Sequence, residues 1–215
     1  MRSVRFQILS LCLLAAIASV AMAETQRPNI VFIFADDWGY GDMGKHGSTF
    51  CKTPHLDRMA QEGVDFTNFT VNSPVCTPSR AAVMTGQFPA RHSMHQHFQG
   101  IKAHIKRGMP DWLDPQAPLL PRMLQEAGYA TGHFGKWHLG SVADSPSEDA
   151  YGYDRFATFN GSKQNEIPKG GSVAVDLAET FIREFKDRPF FINLWLHEAH
   201  TPHLPQERFM NSFTH

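Results

Sequence analysis

Asn29-Ile30-Val31-Phe32-Ile33-Phe34-Ala35 is an unbroken run of apolar, mostly β-branched and aromatic residues that stops abruptly at Asp36-Asp37. A run of this kind, with no polar alternation, is the pattern of a strand buried on both faces in a parallel sheet. The same punctuation recurs twice. Tyr129 to Phe134 reads as a short strand leading into Gly135-Lys136-Trp137-His138, and Phe190 to Leu196 as a strong strand leading into His197-Glu198-Ala199-His200. Helical stretches separate them: His55 to Glu62, Pro78 to Thr85, Leu119 to Ala127 and Val173 to Lys186, with Gly63, Gly86 and Gly128 as stop signals. Strands alternating with helices imply an α/β fold, a mostly parallel sheet flanked by helices. Ligands of open α/β sheets bind beyond the carboxyl ends of the strands, so the three polar clusters are expected to converge on one edge. Ser141 to Gly171, rich in Gly, Ser, Pro and charge, reads as a surface excursion.

Composition narrows the function. Residues 1–23 place Arg2 and Arg5 before an apolar run from Ile8 to Val20 that closes on Ala21-Met22-Ala23, the pattern of a secretory signal peptide. The run is too short for a spanning helix, so no stable membrane anchor is expected and the mature chain, residues 24–215, is exported, periplasmic or secreted. Without that leader, 18 basic residues face 21 acidic ones, a net charge of −3, which argues against a nucleic-acid partner. Of the three cysteines, Cys12 leaves with the leader. Cys51 and Cys76 remain in an oxidising compartment, where the plain expectation is a disulfide between them.

The neighbours of Cys76 point elsewhere. In Cys76-Thr77-Pro78-Ser79-Arg80-Ala81-Ala82-Val83-Met84-Thr85-Gly86, Thr77 suits the N-cap, Pro78 the first helical position and Gly86 the stop. Cys76 then sits just ahead of a helix, near free N–H donors and the positive end of the dipole, with Arg80 adding a fixed charge. That arrangement is an anion site around a nucleophile; a buried structural Cys beside a capped helix is the equal alternative. His92, His95 and His97 read as a polar loop, and Lys102, Lys106 and Arg107 are too few for a nucleic-acid surface.

The segment resembles the signature of the type I sulfatases, in which the Cys of C-x-P-S-R is oxidised to formylglycine. The resemblance also runs through Arg27-Pro-Asn-Ile-Val-Phe-Ile-Phe-Ala-Asp-Asp-Trp-Gly-Tyr-Gly-Asp42, Thr53-Pro-His-Leu-Asp57, Thr85-Gly-Gln-Phe-Pro-Ala-Arg91, Gly135-Lys-Trp-His-Leu-Gly140 and His200-Thr-Pro202. It implies an alkaline-phosphatase-like fold and hydrolysis of sulfate esters by an aldehyde hydrate, whose second hydroxyl expels sulfate and restores the aldehyde.

The resemblance further implies that Asp36, Asp37 and the modified Cys76 hold a divalent cation, Ca²⁺ or alternatively Mg²⁺. Successive strand residues point to opposite faces, so both carboxylates reach one ion only if the chain leaves the strand there, as Gly39 and Gly41 allow. Lys136 and His138, two apart, share a face in extended geometry. By resemblance Lys136 contacts the hydrate and the sulfate, His138 accepts the proton of the second hydroxyl, and His200 binds sulfate and helps protonate the alcohol, with His203 a weaker neighbour. The implied partners are a sulfated small molecule or glycan and a formylglycine-generating enzyme. Family members are longer and supply an Asp-Asn or similar pair and a second lysine later in the chain. Nothing after His203 resembles those, so the chain is expected to be the amino-terminal part of the catalytic domain, catalytically dead and poorly soluble by itself. A related phosphonate or phosphate ester hydrolase, or an inactive truncated relative, are the alternatives.

Overall fold

The computed structural model describes residues 27–170 and 172–203; the expected signal peptide lies outside them. In chain order the main elements are β1 (Ile30–Ala35), α1 (Pro54–Glu62), α2 (Cys76–Thr85), α3 (Ile101–Arg107), α4 (Leu120–Glu126), β2 (Ala130–Lys136), β3 (Arg155–Phe159), α5 (Val173–Glu184) and β4 (Phe190–Leu196). The strands form one sheet in the order β1-β4-β2-β3, with every pairing parallel. This is the expected α/β architecture.

Period-2 sorting of side chains builds a core on each face of the sheet. From β4, Phe190, Ile192 and Leu194 join Phe134, Ala178 and Phe181 beneath α5. Phe191 and Trp195 project the other way, onto Ala81 and Met84 of α2 together with Leu113, Trp137 and Tyr151. One face of β1 departs from expectation. Ile30, Phe32 and Phe34 pack against the α2-side core, but Val31 and Ile33 are about half exposed. Here β1 is the edge of the described sheet and α5 lies over β2, β3 and β4, so no described element covers those two side chains.

Two further expectations are corrected. The stretch from Ser141 to Gly171 is not a surface excursion throughout, because β3 lies within it and pairs with β2 from Gly132↔Arg155 to Lys136↔Phe159. A short 3-10 turn, Glu148–Tyr151, precedes it and buries both of its end residues. The cap of α2 also differs: the helix begins at Cys76, with extended Val75 as N-cap. Thr77 is the second helical residue, and its hydroxyl donates to the His138 carbonyl at 2.9 Å instead of capping. Gly86 ends the helix as expected, at φ +65 in the left-handed region glycine favours.

Candidate active site

The strand register assembles the site. Ala35 pairs with Leu196, so Asp36 and His197, the next residue on each strand, emerge side by side, while β2 delivers Lys136 from the other flank of β4. Gly135 makes this close approach possible. Its φ is +112, and a Cβ there would collide with the Trp195 backbone oxygen.

Asp36 is the hub. It is buried, its Oδ1 lies 3.1 Å from Arg80 Nη2, and its Oδ2 accepts hydrogen bonds from Lys136 Nζ and from His197 Nδ1, the latter at 2.8 Å. Burial by itself would raise its pKa, but the His197 hydrogen bond and the charges of Arg80 and Lys136 outweigh it and hold the carboxylate well below the usual range. Arg80 is also deeply buried; its Nη1 donates to the Lys136 carbonyl at 2.9 Å, and its guanidinium lies 4.8 Å from the Trp195 ring. Two buried cations thus face one buried carboxylate, leaving a surplus of positive charge suited to an anion.

Cys76 opens the other half of the site. Its Sγ lies 3.2 Å from His138 Nδ1, and His138 Nε2 donates to the Phe98 carbonyl at 3.1 Å. Burial, then the charge of Lys136, bring the His138 pKa down to about 4, so the ring is neutral at pH 7. Cys51 and Cys76 are both free thiols, so the plain disulfide expectation is not met. Lys136 and His138 do flank the site, but not through extended geometry: His138 has φ +60, and its N–H donates to Asn160 O at 2.9 Å just beyond the end of β3. Trp137 between them is driven into the core.

The two aspartates part company. The chain leaves the strand at Asp37 itself, which has φ +60, ahead of Gly39 and Gly41. The Asp37 side chain is 56% exposed, with His200 Nε2 at 3.6 Å from its Oδ2. The His200 ring stacks on His197 at a centroid distance of 4.4 Å, whereas His203 Nε2 donates to the Ala199 carbonyl at 3.0 Å. Among the described residues one group has donor atoms close enough for a shared ion: Asp36, His197 and His200, all within 4.8 Å of one another. Among the described residues the buried Nε2 of His197 has no hydrogen-bond partner; with Nδ1 donating to Asp36, it carries a free lone pair. His197 was not singled out from sequence as a site residue; its position directly after a strand, opposite Asp36 in register, is the signal that finds it.

The family model described as Sulfatase matches residues 28–215. The chain belongs to the sulfatase family. Relatives include steryl-sulfatase of Rattus norvegicus, 36% identical over 80% of this chain and 31% of the relative. N-acetylgalactosamine-6-O-sulfatase of Bacteroides thetaiotaomicron is 45% identical over 54% of this chain and 22% of the relative. The chain therefore spans under a third of either relative's length. Among solved structures, Ps i-CgsB in complex with k-i-k-neocarrahexaose superposes with a TM-score of 0.71 at 29% identity, over 87% of this chain and 49% of that one. The α/β fold is that of the sulfatases and of their alkaline-phosphatase-like relatives.

Proposed function

We propose that this chain carries the nucleophile-bearing part of a sulfate ester hydrolase, with Cys76 converted to formylglycine by a maturation enzyme. The observation that carries the reading is the 3.2 Å approach of Cys76 Sγ to His138 Nδ1, beside the buried cations Arg80 and Lys136, in a chain of the sulfatase family. When present, the aldehyde hydrate supplies one hydroxyl to attack sulfur and a second whose deprotonation expels sulfate. His138, neutral at pH 7 with Nδ1 bare, accepts that second proton. Lys136 and Arg80 hold sulfate oxygens and the developing charge by electrostatics. His200, in the turn that follows β4, holds sulfate and passes a proton to the departing alcohol.

A divalent cation, Ca²⁺ or Mg²⁺, fits this donor set. Asp36 and Asp37, with the oxidised side chain of Cys76, would supply its oxygen ligands; what supports a cation here is that donor atoms of Asp36, His197 and His200 lie within 4.8 Å of one another, with Asp37 Oδ2 3.6 Å from His200 Nε2. Such an ion would supply Lewis-acid charge to ester oxygens and to the nucleophile these residues hold. The substrate class is a sulfated small molecule or glycan, and the protein is exported to the periplasm or medium.

The test begins with coexpression with a formylglycine-generating enzyme and mass spectrometry of the tryptic peptide ending at Arg80. An aldehyde in place of the thiol is expected; a Cys51–Cys76 disulfide as the main species overturns the reading. In a protein extended to the length of its relatives, Cys76→Ala abolishes aryl sulfate turnover. His138→Ala slows it by about 10² to 10⁴. Preference for a matched aryl phosphate or phosphonate ester over the sulfate would assign the site to a different ester.

A further inference from the structure

Behind His138, outside the polar cluster at the strand ends, lies a second histidine whose hydrogen bonds determine its protonation. His104 of α3 is 1% exposed. Its Nε2 is 3.0 Å from the backbone N of Gln99 and 3.1 Å from that of Gly100. Both of those groups can only donate, so Nε2 carries the lone pair and the ring proton sits on Nδ1. That proton goes to Asp111 Oδ1, 2.6 Å away. For His138 the same logic runs in the opposite sense. The Phe98 carbonyl can only accept, so Nε2 is protonated and Nδ1 is bare towards Cys76.

Residues 98–100 join the two rings. The Phe98 ring packs against His104 at 4.8 Å, its N–H donates to Thr77 Oγ1 at 3.2 Å, and its carbonyl meets His138. Gln99 and Gly100, with Gly100 at φ +126, supply the two N–H groups that His104 holds. Arg107 braces the segment from the solvent side, donating to His97 O at 3.0 Å and Gln99 Oε1 at 2.8 Å.

We propose that His104 and Asp111 are positioning residues, a dyad that pins the segment 98–100 so that the Phe98 carbonyl holds His138 in the Nε2–H tautomer with Nδ1 free towards residue 76. Remove the acceptor at His104 and two part-buried N–H hydrogen bonds lose their partner, the segment shifts, and His138 is released to the tautomer that aims a donor at Cys76. The catalytic consequence rests on the sulfatase reading above; the tautomer claim does not.

The experiment is ring-nitrogen NMR of the ¹⁵N-histidine-labelled chain, with no turnover required. In the unmodified protein, His138 is expected as the Nε2–H form and His104 as the Nδ1–H form; a His138 found in the Nδ1–H form overturns the proposal. His104→Phe keeps the ring volume and removes the acceptor, and should give His138 mixed tautomers, whereas His104→Gln, whose carbonyl can accept both N–H groups, should restore the Nε2–H form. Asp111→Ala, at a partly exposed position, should move His138 in the same direction as His104→Phe and decides the matter if that variant does not fold. A folded His104→Phe or Asp111→Ala with the His138 signals unchanged rules the dyad out. In a mature, extended enzyme the same substitutions should lower kcat about ten- to hundredfold with KM little changed. Loss of sulfatase activity everywhere with tautomers behaving as described would refute the functional reading and leave the dyad standing.

Discussion

His133 lies in the middle of β2 with no exposed surface, boxed by the rings of Trp195 at 4.7 Å and of Trp137 and Tyr153 at 5.2 Å each. Burial, with the nearby Arg80 charge in support, brings its pKa down to about 3. An unfolded imidazole titrates near 6.5, so between about pH 6.5 and 3 the unfolded chain binds a proton that the native chain refuses. Stability is therefore fullest above pH 6.5 and falls as pH drops through that window, with His138 adding to the slope down to about pH 4. The whole displacement of His133 corresponds to something on the order of 5 kcal/mol. His133→Phe, which keeps an aromatic in the box, should make unfolding free energy measured by urea at pH 7 and pH 4.5 differ by roughly 2–3 kcal/mol less than in the parent. Parallel pH profiles for the two proteins would refute the assignment. The motif residues Cys76, Arg80, Lys136 and His138 were legible because they stand in short sequence patterns, whereas His133 was not. A histidine's burial depends on which rings surround it, and those come from the residue just after β2, from β4 and from the loop between the 3-10 turn and β3.

At the scale of elements, the 3-10 turn Glu148–Tyr151 supports the active-site end of β3 through one carboxylate. Glu148 is fully buried; its Oε1 accepts from Thr158 Oγ1 at 2.8 Å and from Ser162 N at 3.1 Å, and its Oε2 from Ser162 Oγ. The loop so held presents Phe159 O to Trp137 N and Asn160 O to His138 N. Gly161 belongs to the same cluster, since a Cβ there would run into Glu148 Oε1. Glu148→Gln places an amide where Oε2 accepted the Ser162 hydroxyl, which must turn from donor to acceptor, and should cost about 1–3 kcal/mol in chemical denaturation. Amide exchange at Ser162 and His138 should speed up as the loop loosens. A Glu148→Gln protein as stable as the parent, with exchange unaltered, would show that the turn is not a brace. None of this was visible in a stretch whose Gly, Ser, Pro and charge content reads as surface. The five-residue β3 has a weak pattern of its own, and its burial comes from pairing with β2, a contact between residues more than twenty apart.

For the molecule as a whole, the unbalanced feature is the outer strand. Val31 and Ile33 are 47% and 51% exposed, and Phe66 and Phe69 more so, while β1 pairs along one side only among the described residues. An apolar face beside an open strand edge favours self-association. Sedimentation velocity on the chain as given should show concentration-dependent oligomers. Val31→Thr with Ile33→Thr, which keeps β-branching, should reduce them; association undiminished in the double variant would place the sticky surface elsewhere. The sequence by itself determined the α/β class, the three strands that end in polar clusters and the residues of the sulfatase motifs. Those features are local: an apolar run, a glycine stop, a proline in a first turn. Only the tertiary structure decided that Asp36 turns inward to Arg80, Lys136 and His197 while its neighbour Asp37 turns outward. The Ala35↔Leu196 register and a left-handed φ at Asp37 settle that division, and both arise when strands far apart in sequence pair side by side.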